Sequence, residues 1–261
     1  MTRSLEPGRG AVNAAGRDLE TFWLPPIAAG RPSLVLLHEG LGSVGLWRDF
    51  PQKLGSATGC GVLAYSRWGN GRSEVLEGKR PIDYMHHEGE VVVPAVLDAL
   101  GIEKPILIGH SDGASIALLY AAAVPDGPAA LILEAPHVFV EDFTIAGITA
   151  AKTAYETTDL RQKLARHHTD VDRTFWGWNE IWLDPRFRPW NIEAALPRIR
   201  CPILVIQGED DEYGTTAQLD AIRQAAPQTE TLLLPACRHT PHREQEAATL
   251  AAMTRFLDQS P

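Results

Sequence analysis

Six strand-length apolar runs, separated by helical stretches, constrain this sequence more than any other feature. They fall at 33–37, 61–65, 105–109, 129–134, 202–206 and 231–234. Each is apolar at successive rather than alternate positions, as in strands covered on both faces. Helical patterning fills 44–57, 83–99, 113–123, 216–226 and 242–257, and Pro94 is expected to kink or break the second of these. Strands that alternate with helices require a mostly parallel sheet with helices on both faces. The fold class is therefore α/β.

One segment breaks the rhythm. Residues 137–197 show no strand pattern and carry four of the seven tryptophans, Trp176, Trp178, Trp182 and Trp190. At this length the segment reads as a helical cap inserted between two strands and lying over the strand ends. Residues 1–17, rich in Gly, Arg and Ala, read as a loose N-terminal arm. That leaves 18–136 and 198–261 as one α/β core, which a chain of 261 residues can bury without disulfide or metal staples.

Charge and cysteine content narrow the function classes. Twenty-four basic against 33 acidic residues give a net charge of −9, and no basic run is long enough to track a nucleic acid backbone. The apolar runs fall far short of the roughly 20 residues a bilayer helix needs. The first residues lack the apolar core of a signal peptide, so a cytoplasmic location is expected. Cys60, Cys201 and Cys237 are odd in number and include no CxxC pair; they read as buried thiols rather than a disulfide framework or zinc site.

Gly109-His110-Ser111-Asp112-Gly113 fits G-x-S-x-G and sits between a buried strand and an Ala-rich helix. The bare pentapeptide is a weak signal; in strand–turn–helix context it is a strong one. Such a turn strains the Ser backbone, needs small neighbours on either side, and lifts the hydroxyl above the sheet at a helix N-terminus.

A serine hydroxyl needs a base, and the base an orienting acid. His239, in the loop after the last strand, is the candidate base; His242 begins the final helix and is the weaker one. His38 and His110 read as structural hydrogen-bonding neighbours. Neither His86/His87 nor His167/His168 comes with a third ligand at metal spacing, so no metal is expected. Asp211, three residues beyond Gly208, is the favoured acid, with Glu134 at the end of the fourth strand as its rival. For the developing oxyanion, the Asp112 amide is one expected donor. The second comes from His38-Glu39-Gly40-Leu41-Gly42, with Gly40 first and Glu39 second.

Together these residues resemble the α/β-hydrolase superfamily from about residue 20 onward. His38-Glu39-Gly40 is similar to its His-Gly oxyanion loop. Ser66-Arg67-Trp68-Gly69-Asn70-Gly71-Arg72-Ser73 is similar to its D-x-R-G-x-G-x-S turn, and Ser111, Asp211 and His239 fall at its triad positions. Glu39 departs from the usual glycine, and Ser66 and Trp68 from the D-x-R-G pattern. The Glu39–Gly42 loop with Glu134 also resembles zearalenone-lactonase-like members, whose acid follows the earlier strand.

The resemblance implies an α/β-hydrolase fold and a cofactor-independent serine hydrolase, expected to act with water on a small-molecule ester or lactone that is neutral, bulky and hydrophobic, as a monomer or homodimer. A serine nucleophile sets the chain apart from dehalogenases and epoxide hydrolases of this fold, which use Asp there. Carbon–carbon bond hydrolysis of an anionic ring-cleavage product uses the same triad and would ask cations of Arg67 or Arg238. A triad-retaining receptor is a third possibility. Trp176, Trp178 and Trp182, with His38 and Glu39, either line an apolar substrate pocket or simply fix the cap to the core.

Overall fold

The computed structural model describes residues 6–27 and 30–259. Eight strands make one sheet: β1 (Gly8–Ala14), β2 (Arg17–Leu24), β3 (Ser33–Leu37), β4 (Gly61–Tyr65), β5 (Ile106–His110), β6 (Ala130–Glu134), β7 (Ile203–Gly208) and β8 (Thr229–Leu234). Their order is β1-β2-β4-β3-β5-β6-β7-β8; β1–β2 and β2–β4 pair antiparallel and every other pair is parallel.

The continuous apolar runs divide by alternation between two cores. On one face Val35, Leu37, Leu63, Leu107, Leu131, Leu133 and Val205 pack under α2 (Tyr84–His87), α3 (Val93–Leu100), α4 (Asp112–Ala123) and α8 (Ala217–Ala225). On the other, Leu34, Leu36, Val62, Ile106, Ile108, Ile132 and Leu204 meet α1 (Phe50–Thr58) and α10 (Glu246–Gln259) through Phe50, Leu54, Met253 and Phe256. A four-residue α9 (Pro241–Glu244) precedes α10. Burying one such side chain contributes about 1.5–3 kcal/mol, so a shift of one residue in register would cost both cores at once.

The N-terminal segment differs from the loose arm that its composition implies. Residues 1–5 lie outside the described residues, but Gly8–Ala14 form β1, a hairpin partner of β2. The turn is Ala15-Gly16, with φ of 50° and 74°, the doubly positive pair that a two-residue hairpin demands. Val12 and Ala14 bury one face, whose remaining positions are Gly8 and Gly10, and this absence of apolar side chains hides the period.

Two helices break where the backbone is forced to depart. The 44–57 stretch divides at Arg48 (φ 55°) into a 3-10 turn, Val44–Trp47, and α1. The 83–99 stretch runs as α2, a π-helical turn at Glu88–Val92, then α3, the loosened turn falling just ahead of Pro94, which has no N–H to offer. Between β6 and β7 stand α5 (Asp142–Thr157), α6 (Leu160–Ala165) and α7 (Val171–Trp182), with no strand among these residues. They pack on the loops at the C-terminal ends of the strands: Thr174 Oγ1 donates to Gly69 O, and His168 Nε2 to Leu41 O. No helix of the described residues is long and apolar enough to cross a membrane.

Candidate active site

Ser111 stands at the turn from β5 into α4 with φ 53° and ψ −117°, a conformation L-residues adopt at a cost of order 1–3 kcal/mol. The flanking glycines have a direct steric cause. A Cβ at Gly109 would overlap the Gly113 carbonyl, and one at Gly113 would overlap the Leu37 carbonyl. The turn is pinned by the Ser111 amide, which donates to Glu134 O at 2.9 Å.

His239 and Asp211 arrive on the loops after β8 and β7. Nδ1 of His239 lies 2.8 Å from Asp211 Oδ1, which also accepts from the Tyr213 amide at 2.8 Å. Burial pushes the Asp211 carboxyl upward, but the His239 charge and these two hydrogen bonds outweigh it and hold it below the usual carboxylate value. Glu134 is brought to a different histidine. Its Oε2 accepts from both the amide and Nδ1 of His242, at 2.9 and 2.8 Å, in a fully buried pair.

His38 and His110 make the neighbourly bonds expected of them. His38 accepts from the Arg67 amide at Nε2 (2.9 Å), so its proton sits on Nδ1 and is donated to Glu39 O (2.6 Å). Burial, reinforced by the Arg67 charge, holds its pKa well below the ordinary value, so the ring stays neutral. His110 donates from Nε2 to His239 O at 2.7 Å, and its Nδ1 faces Glu39 Oε2 at 3.6 Å, an ion pair too long for a hydrogen bond. Burial opposes a charge on His110, yet the Glu39 carboxylate overrides it and lifts the pKa to about 9. The unusual acid in the oxyanion loop is thus balanced by a neighbouring imidazolium.

The loop at 38–42 has all five carbonyls held from behind. Arg67 donates to His38 O and Glu39 O, Asn70 Nδ2 to Gly40 O and Gly42 O, and His168 Nε2 to Leu41 O. The amides of Gly40 and Asp112 donate to no protein acceptor among the described residues.

The tryptophans separate by helical phase. Trp178 and Trp182, four apart on α7, face the site: a Cβ at Gly40 would overlap the Trp178 indole, and Trp182 Nε1 donates to Asp112 Oδ1 at 3.3 Å. Trp176 is two residues out of phase. It packs edge-on against Phe175 and Tyr155 with Lys152 over its ring, and lines a cleft with Lys79 and Glu180.

Two aromatic neighbours escaped the sequence reading. The His137 ring lies 6.0 Å from that of His239 and 5.2 Å from Trp182, and the Tyr213 ring 4.7 Å from His239. The available signal was position: each follows the C-terminal end of a parallel strand, where sites in such sheets gather. Both arginines considered as anion anchors have carboxylate partners within the protein. Arg67 is buried against the oxyanion loop and Asp112, and Arg238 pairs with Glu212 at 2.8 Å. Among the described residues no group of three or more His, Cys, Asp or Glu could hold a metal ion.

Known proteins are similar to this chain in sequence or in structure. The chain is 26% identical over 190 residues to a human serine hydrolase, BPHL, a match covering 69% of this chain and 64% of that protein's length. It is 24% identical over 227 residues to 2-hydroxy-6-oxo-6-phenylhexa-2,4-dienoate hydrolase from Comamonas testosteroni, covering 76% and 78% of the two chains. Proline iminopeptidase from Mycobacterium smegmatis superposes with a TM-score of 0.78 at 20% identity, over 97% of this chain and 98% of that one. With the family's sequence profile matching residues 34–252, this chain is a hydrolase of the alpha/beta hydrolase family.

Proposed function

We propose that the protein is a serine hydrolase of neutral carboxylic esters or lactones, working through an acyl-enzyme. The observation that carries the reading is the 2.8 Å contact between His239 and Asp211 on the loops that flank the strained Ser111 turn. In this reading Ser111 Oγ attacks the substrate carbonyl as His239 Nε2 takes its proton. Asp211 holds the Nδ1–H and stabilises the imidazolium. The tetrahedral oxyanion rests on the Gly40 and Asp112 amides, the latter at the N-terminus of α4. His239 then protonates the departing alkoxide and activates water to release the acid.

A neutral substrate is favoured by the engagement of Arg67 and Arg238, which leaves neither of them to meet the carboxylates of a ring-cleavage product. In the same reading α5–α7 form the cap, with Trp178 and Trp182 as an aromatic wall over the oxyanion loop.

The test is a panel of p-nitrophenyl esters, neutral lactones and an anionic vinylogous diketone. Turnover of the first two classes is expected, with Ser111→Ala lowering kcat by roughly 10⁴-fold or more. Preferred cleavage of the diketone would overturn the ester assignment, and an active Ser111→Ala would overturn the mechanism.

A further inference from the structure

We propose that Arg67 is the positioning residue of the oxyanion hole, fixing both amide donors to one buried guanidinium. The inference rests on the serine-hydrolase reading above.

Arg67 is 1% exposed and follows β4. From Nη1 it donates to His38 O and from Nη2 to Glu39 O at 3.1 Å, while Nη2 lies 3.7 Å from Asp112 Oδ2. A trans peptide is planar, so its N–H points opposite to the C=O of the preceding residue. Holding Glu39 O therefore aims the Gly40 N–H, and holding His38 O aims the Glu39 N–H. Both candidates for the loop's donor are oriented by the same side chain. Glu39 O is held further by His38 Nδ1 and the Gly42 amide, so this peptide has little freedom to flip.

The second donor is tied at the other side of the same group. Asp112 is the first residue of α4, and its amide has no partner within the helix. Its carboxylate accepts from Tyr84 OH at 2.7 Å and Trp182 Nε1 at 3.3 Å, and forms an ion pair, too long for a hydrogen bond, with Arg67 at 3.7 Å. The loop after β3 and the start of α4 are separate segments of the chain, and Arg67 spans them. A planar fork of donors bonds two carbonyls while its charge faces a carboxylate; a lysine ammonium is a single point and does not reach all three. Burying the charge is offset by Asp112 and the two carbonyls. The Arg67 position thus acts on transition-state binding through Gly40 and Asp112, with no contact to substrate of its own.

The test compares wild type, Arg67→Lys and the charge-balanced double variant Arg67→Met/Asp112→Asn. Readouts are kcat and KM on a p-nitrophenyl ester, the Ki of an arylboronic acid, and the melting temperature. The boronic acid forms a tetrahedral adduct on Ser111 whose oxygen occupies the oxyanion site. Loosened donors are expected to lower kcat roughly 10–100-fold in both variants, with KM unchanged within twofold and boronate affinity falling in parallel. The double variant keeps the interior neutral, so it reports on donor geometry even where Arg67→Lys unfolds. An active wild type whose folded variants keep kcat and boronate affinity overturns the positioning role alone. Equal loss of KM, kcat and melting temperature also overturns it, since that is the signature of a structural residue. A wild type that neither cleaves esters nor binds the boronate overturns the serine-hydrolase reading and the proposal with it.

Discussion

His110 holds the backbone of the catalytic-loop histidine: its Nε2 donates to the His239 carbonyl at 2.7 Å while its Nδ1 faces the Glu39 carboxylate at 3.6 Å. The pair couples the oxyanion loop to the loop that carries His239, and it does so only while His110 is protonated.

That coupling predicts an alkaline limb. The His110 pKa is raised to about 9, above its ordinary 6.5, so its contribution to stability is complete below about 6.5 and is lost as pH rises through about 9. Above that pH the Glu39 charge is left uncompensated beside the developing oxyanion. Turnover and urea stability of the wild type are both expected to decline over this window. In Glu39→Gln the imidazolium has no counter-charge, and the fall in stability over this window becomes shallower. Pairing pH–rate profiles with urea melts of the two proteins checks this; an unaltered slope in Glu39→Gln counts against the coupling.

The two carboxylate–histidine pairs predict opposite phenotypes. Asp211→Asn removes the acceptor that fixes the His239 tautomer, and kcat should drop by roughly 10³–10⁴-fold with little change in melting temperature. Glu134→Gln weakens a fully buried pair with His242 and should cost about 1–3 kcal/mol of stability while retaining most turnover. Kinetics and thermal melts on the same preparations separate them. Loss of turnover in Glu134→Gln with retention in Asp211→Asn would transfer the acid role to Glu134.

Gly40→Ala tests how tightly α7 sits on the oxyanion loop. The added methyl would overlap the Trp178 indole, a side chain that can move, and overpacking of this kind costs about 1–3 kcal/mol. Lower kcat and altered Trp fluorescence are expected, with partial recovery in Gly40→Ala/Trp178→Leu. Gly113→Ala meets the Leu37 carbonyl instead, a backbone atom, and no side-chain replacement should rescue it.

The sequence by itself determined the parallel core, the turn at Ser111 and the chain order of the three catalytic candidates. Those features arise from local rules: continuous apolar runs require covering on both faces, and Gly109 and Gly113 report a close backbone approach. Only the tertiary structure decided which acid meets which histidine, since Asp211 lies in the loop after β7 and Glu134 ends β6, and both stand at the same edge of the sheet. It also decided that Trp178 packs on Gly40 and Trp182 bonds Asp112 while Trp176 packs on Phe175 and Tyr155, and that 8–14 is a strand rather than part of an arm. Arg67 is the clearest case. In the sequence it is a member of the 66–73 turn and a candidate anion anchor; its bonds to His38 O and Glu39 O and its approach to Asp112 arise only where β4 delivers it between two segments distant in the chain, because hydrogen-bond partners are chosen by proximity in space.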